Sequence, residues 1–409
     1  MSLTRYLPTP SDRMGILWNL LTVKESIVLE YGPAGTTHFS MSLYGDLGVE
    51  QENQLFTTHM SEDDVVMGDV TRLEDAIVEL DQDYHPKVIF VVGSSIASVI
   101  GTDIKGVCNY MQDQVQARLV CFDQGGFRGD YSLGCQAVWS LLAKEFPKPG
   151  EVWENVYNLV GVSAGSYRMR SDVWELQNLM SEAFHMTLGT SFCMDTGVGA
   201  LEQAGSARLN LVLRDEAREA AEILEERCGT PWVFGMPYGY QATLDWLREI
   251  GKALGREPEQ SVIDRLREKA MKAAMYKMYG RMLKQDKAGA VLVGEYHTLA
   301  GLGRFLSGMG IPVEASLCSH SLRLMDAPQE PIIHPETERE RMDILEKVHR
   351  KLILGDDISF RMCPKDNVFL RISLPAIRGA QTANHLPLMG EKGADFILET
   401  VEEYFQLVQ

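Results

Sequence analysis

The run VIFVVG, from Val88 to Gly93, constrains the fold of this chain most. It is rich in β-branched side chains and holds no polar one, so neither face of the strand it forms can meet water. Such a strand belongs in a parallel sheet covered by helices on both faces, which sets the class as α/β. Ser94 and Ser95 follow at once and fall at the carboxyl edge of that sheet, where open α/β folds bind their ligands.

The pattern recurs along the chain. Lys24–Tyr31 (KESIVLEY) reads as a strand that ends in the turn-rich YGPAGTTHF, and Ala117–Phe122 as another, followed by the glycine-rich stretch Asp123–Gly134. Further strands are expected at Val156–Val162, Leu209–Leu213, Trp232–Phe234, Ala290–Val293 and Val368–Ile372. Helical spacing marks Thr71–Leu80, Val173–Phe184, Asp215–Glu226, Tyr240–Leu254, a long segment Gly255–Met282 capped by Ser261, Leu299–Met309 and Gly393–Leu407. The polar stretch Lys144–Asn155, with Pro147 and Pro149, makes the first boundary. The reading is three Rossmann-like domains with parallel sheets: residues 1–150, 151–282, and 283–409 with a C-terminal helix.

Composition removes several functions. The net charge of −18 argues against a nucleic-acid partner, which needs a positive face. No apolar run reaches the length of a membrane span and the start MSLTRYLPTPSD has no secretory pattern, so a cytoplasmic protein without a membrane partner is expected. The seven cysteines are scattered and none sits in a CxxC, which excludes a zinc knuckle and points to reduced thiols. No GxxxxGK[ST] occurs, so ATP is not expected on this chain. GVSAGS at 161–166 spells GxSxG, but a polar loop runs on to Ser171 where a hydrolase elbow needs a tight turn into a helix. The methionines of AMKAAMYKMYGRM suggest an interdomain or subunit seam. None of the nine histidines falls in HxH, HxxxH or HExxH spacing, and no metal ligand is assigned.

Several stretches in order resemble nitrogenase component 1 and the nitrogenase-like oxidoreductases: YGPAGTTHF at 31–39, LFTTHMSEDDVVMGD at 55–69, VVGSSIASVIGTDI at 91–104, FDQGGFRGDYSLG at 122–134, CGTPW at 228–232 and GLGRFLSGMG at 301–310. The resemblance implies a subunit of three Rossmann-like domains that pairs with a homologous subunit as a heterodimer or α2β2 heterotetramer. It implies a second partner, a [4Fe-4S] P-loop ATPase reductase, which docks near Tyr31–His38 and Ser95–Asp103 and passes low-potential electrons through an iron–sulfur cluster at the subunit interface. The family's cluster cysteines would fall near Leu7, at Thr36 and at Ser95, and the cysteine that holds the active-site cofactor at Arg214; none of the four is cysteine here. Thiolates, not hydroxyls, suit iron–sulfur iron.

Three readings follow. A partner subunit supplies most of the cluster ligands; or the cluster has moved to Cys121 with Cys135 or Cys108; or the chain is a redox-inactive scaffold or binding subunit for a cofactor or tetrapyrrole. Under the first, Gly32, Thr36, Ser95, Gly126, Phe127 and Arg214 are expected to border the cofactor. His297 and Arg128 are the candidate catalytic residues of an interdomain cleft, the histidine as proton donor.

Overall fold

Parallel strands cannot be joined by tight turns, so each returns through a helix, and the chain builds three sheets in this way. The computed structural model describes residues 3–6, 8–37, 54–123, 125–282, 288–326, 331–375 and 386–408. The first sheet runs Gln54–Thr57, Ser26–Tyr31, Val88–Gly93, Arg118–Phe122 in spatial order. The second runs Trp232–Phe234, Ala207–Val212, Trp153–Val160, Thr187–Ser191, and the third Ile332–Ile333, Val313–Cys318, Ala290–Gly294, Leu352–Gly355, Val368–Arg371. All pairings within them are parallel. A short parallel bridge, Val23–Lys24 with Thr196–Gly197, ties the first unit to the second. No helix among the described residues is long and apolar enough to cross a membrane.

Strand Val88–Gly93 lies inside the first sheet and is buried along its whole length. Its side chains alternate between two cores. Phe90 and Val92 join Val120 and Phe122 against helices Asp12–Leu20 and Tyr131–Glu145, and Ile89 and Val91 face helices Thr71–Tyr84 and Ile104–Met111.

Helix Asp12–Leu20 carries no signal in the sequence, because all nine of its residues are buried and no polar face sets a period. It crosses helix Tyr131–Glu145 with the two backbones in contact. A Cβ on Gly15 would lie 2.0 Å from the Tyr131 carbonyl oxygen, and one on Gly134 1.8 Å from that of Asp12. The long helix expected from Gly255 starts instead at Gln260, since Gly255 adopts φ 69° and closes the preceding helix Tyr240–Leu254. Ser261 therefore sits inside the helix and does not cap it. Met271 and Met275 on this helix are exposed.

The last helix, Gly390–Val408, packs on the second unit. Arg265 pairs with Glu391 at 2.8 Å and Lys269 with Asp395 at 2.6 Å, while Ile397, Val401 and Tyr404 are buried. Its lead-in is held by Asp172, whose Oδ1 accepts the amides of Leu388 (2.6 Å) and Met389 (2.9 Å). Burial pushes the Asp172 pKa up from 3.8 to about 7 against these two amide bonds. Both bonds fall on Oδ1. Between the two pKa values the folded chain holds a proton that the unfolded chain has lost, so this group's contribution to stability falls as pH rises from about 4 to 7. Asp172→Asn keeps the acceptor and should flatten that part of the profile of urea midpoint against pH; an unchanged slope in the variant would refute the assignment.

Candidate functional site

Strand Ser26–Tyr31 carries one carboxylate inward, that of Glu30, which has no exposed surface. A buried carboxylate needs a countercharge, and Arg13 of helix Asp12–Leu20 supplies it in a buried ion pair. The loop that follows the strand turns two hydroxyls to the same group. Thr37 Oγ1 donates to Glu30 Oε2 at 2.8 Å, and Thr36 Oγ1 lies 2.8 Å from the Pro33 carbonyl and 3.3 Å from Glu30 Oε1.

The neighbouring loops close on this pair. A Cβ on Gly32 would lie 2.4 Å from Ser94 Cβ, and Ser94 Oγ caps helix Ser95–Ile100 by accepting the Ala97 amide at 3.2 Å. Gly126 (φ 93°) passes so near that a Cβ there would be 3.2 Å from Ser11 Oγ, 3.5 Å from Ser95 Oγ and 3.7 Å from Arg13 Cβ. Gly32, Thr36, Ser95 and Gly126, singled out separately in the sequence, thus gather around Arg13 and Glu30, which were not. Phe127 does not turn inward: it is 69 % exposed. Arg128, expected in the cleft, is also a surface residue and pairs with Asp123 at 3.5 Å. The reason is the backbone. The Asp12 amide binds Gly129 O at 3.0 Å and Ser11 bridges Asp130, which ties the loop down at its far end and leaves Phe127 and Arg128 pointing to solvent.

These residues do not fit an iron–sulfur cluster held by this chain. The edge offers Thr36 and Ser95 hydroxyls where thiolates are required, and a buried ion pair sits beside them. The position near Leu7, like His38, lies outside the described residues. Among the described residues no group of three His, Cys, Asp or Glu is placed to hold a metal. Relocation to Cys121 with Cys135 fails on strand alternation: Cys121 packs against the core that contains Cys108, and Cys135 belongs to the core on the other side of the sheet. A hydrogen bond from Cys108 lowers the Cys121 thiol to about 7, but two sulfurs alone make no cluster site. Burial pushes the Cys135 thiol up to about 12, with Asn19 Nδ2 3.2 Å from its sulfur.

A second cluster lies where the carboxyl edges of the three sheets meet. Arg214, just after strand Ala207–Val212, is 5 % exposed and pairs with Glu295, just after strand Ala290–Gly294, at 3.3 Å. Ser166 Oγ donates to Glu295 Oε1 at 3.1 Å and lies 3.1 Å from Arg214 Nη2. The guanidinium of Arg214, a residue expected to border a cofactor, joins the second unit to the third. The first unit enters through Tyr131 Oη, 2.9 Å from Ser319 Oγ, and through Asp130 Oδ2, which accepts the Ser321 amide at 2.7 Å.

His297 stands beside this seam with 13 % of its side chain exposed. Its Nε2 accepts the Asp215 amide at 3.0 Å and lies 3.5 Å from Asp215 Oδ2 and 3.7 Å from Glu216 Oε2. His320 Nε2 likewise accepts the Tyr296 amide at 3.1 Å, 3.9 Å from Glu216 Oε1. Burial works to raise the Glu216 pKa, but His297, His320 and Arg214 around it hold the carboxyl below the usual range. The sequence pointed to His297 and Arg214; Glu216 and Glu295 were missed, although each follows a strand end, the one signal that marked them.

His297 opens on a cleft of about 800 Å³ between the second and third units, whose walls include Phe234, Trp246, Tyr296, Phe305 and Arg304. Of the expected catalytic pair, only the histidine lines it.

Comparison with known proteins bears on these clusters. Residues 11–405 match the model of the family described as nitrogenase component 1 type oxidoreductase. The chain is 26% identical over 289 residues to the nitrogenase iron-molybdenum cofactor biosynthesis protein NifE of Clostridium pasteurianum, covering 69% of this chain and 62% of that protein. It is 27% identical over 249 residues to NifE of Klebsiella pneumoniae, covering 58% of this chain and 54% of that one. The nitrogenase molybdenum-iron protein alpha chain of C. pasteurianum is 24% identical over 247 residues, covering 58% of this chain and 45% of the relative. The matched stretches thus span about half to three-fifths of these relatives' lengths. A solved structure, nitrogenase Cp1 at pH 6.5, superposes with a TM-score of 0.82 at 17% identity, over 99% of this chain and 94% of that one, a likeness of fold.

Proposed function

The chain belongs to the nitrogenase component 1 type oxidoreductase family, and from that premise we propose that it works as one subunit of a nitrogenase-like, ATP-dependent reductase complex. In this reading a homologous partner subunit supplies the iron–sulfur ligands, and a [4Fe-4S] P-loop ATPase reductase delivers low-potential electrons. The observation that carries it is the first-sheet edge. Gly32, Thr36, Ser95 and Gly126 converge there without a thiolate, flanked by Val66, Met67, Val99 and Phe127, all exposed. Exposed apolar side chains around a set of converging loops are what a docking face provides. This chain would then contribute walls and contact surface, and His297 at the inner end of the cleft a group able to carry a proton.

The test is anaerobic co-purification with a homologous subunit, followed by iron and sulfide analysis and electron paramagnetic resonance. About four iron atoms per heterodimer with a reducible signal is the expected outcome, the content of one cubane cluster. A tight complex without iron under strict anaerobiosis overturns the reductase reading.

The alternative, a redox-inactive scaffold or binding subunit, draws on the buried Arg13–Glu30 pair with its two threonines, which fills the edge with a satisfied polar network. Two of the relatives carry the name of cofactor biosynthesis proteins. The same iron-free complex that defeats the first reading supports this one.

A further inference from the structure

The cleft between the second and third units has a chemistry of its own. Its volume of about 800 Å³ lies within the range of small-molecule sites, about 300–1,000 Å³. Phe234, Trp246, Tyr296 and Phe305 give it aromatic walls, and Ala270 and Ala274 of helix Gln260–Met282 give it a flat side without bulk. Flat aromatic groups stack on such walls.

Charge is distributed unevenly within it. Asp215 is paired with Arg218, whose guanidinium also lies 3.8 Å from the centre of the Phe234 ring. Asp245 is paired with Arg248 and Glu249 with Lys252. Arg304 is different: its Nε donates to the Ala300 carbonyl at 3.2 Å, and among the described residues no carboxylate pairs with it. The first turn of helix Tyr240–Leu254 also borders the cleft and carries neither an acidic residue nor a side-chain cap. Its positive end adds to the pull of Arg304 on an anion. Asp326 on the rim is the one acidic side chain of the lining, among the described residues, without an ion-pair partner.

We propose that this cleft binds a planar aromatic anion, a fused-ring carboxylate or phosphate, with its ring on the aromatic walls and its acidic group on Arg304. The site does not depend on the iron reading, since none of its residues belongs to the first-sheet edge, and it stands for either the reductase or the scaffold.

The experiment is titration calorimetry of the full chain with naphthalene-2-carboxylate, 2-naphthyl phosphate and the neutral naphthalene-2-carboxamide. Saturable binding of one or both anions, at least about tenfold tighter than the amide, is expected, because a charge-assisted contact is what separates them. The tighter anion identifies the natural acid group. Arg304→Gln should remove the advantage of the anion over the amide. Ala274→Trp should fill the cleft and abolish binding, and Lys148→Gln, at a residue that pairs with Glu202 away from the cleft, should leave binding unchanged. Circular dichroism checks that each variant is folded. The proposal is overturned if no anion saturates at millimolar concentration, if the amide binds as well as the anions, or if folded Arg304→Gln and Ala274→Trp proteins bind like the wild type.

Discussion

Arg214→Met should destabilise the protein by about 3–5 kcal/mol, the usual cost of breaking a buried ion pair from one side. Arg214 is 5 % exposed and meets Glu295 with Ser166 beside both. Removing the guanidinium leaves a carboxylate in a site that water reaches poorly, with one hydroxyl for company. The double variant Arg214→Met/Glu295→Met should recover most of the loss, since a well-packed apolar pair of similar volume is often no worse than the ions it replaces. The measurement is a double-mutant cycle on chemical denaturation followed by tryptophan fluorescence. If the single variant costs less than about 1 kcal/mol, the level of an exposed pair, the seam is not the desolvated joint described above.

The second large effect belongs to the first-sheet edge. Glu30→Ala removes the buried carboxylate that Arg13 pairs with and should again cost about 3–5 kcal/mol. Its consequences should be local in a way those of Arg214 are not. Glu30 also receives Thr37 and lies within reach of Thr36, so its loss frees the loop beside Gly32. Hydrogen exchange should accelerate at the Thr36 amide, which is bonded to Pro33 O, and at the Ser94 amide, which is bonded to Tyr31 O. Arg13→Met/Glu30→Met should return stability. Unchanged exchange at both amides in Glu30→Ala would show that the pair does not organise the loops.

How much of this was legible in advance follows from what a linear pattern can encode. Strand Val88–Gly93 and helix Tyr240–Leu254 declare themselves, one by an unbroken apolar run and the other by a strong stripe. Strand Val313–Cys318 does not, because its partly exposed first half mixes Val313, Glu314 and Ala315. Helix Asp12–Leu20 is hidden for the opposite reason, being buried on every side. The site divides in the same way. Thr36, Ser95 and Arg214 each follow a strand, and strand ends are readable. Their partners are not: Arg13 meets Glu30 across two elements, and Arg214 meets Glu295 81 residues away. The direction of Arg128 depended on backbone bonds to a helix that the pattern could not show.

Helix Asp12–Leu20 has a consequence for the order of events during synthesis. It is made before the surfaces it packs on: helix Tyr131–Glu145 comes more than a hundred residues later, and the hydroxyl of Thr22, just beyond it, bonds the carbonyl of Cys193, 171 residues downstream. The segment must wait, apolar and unpartnered, until half the chain has emerged, and then dock as the piece that closes the first two units together. This segment thus joins the first two units late, although it is made before either of their sheets.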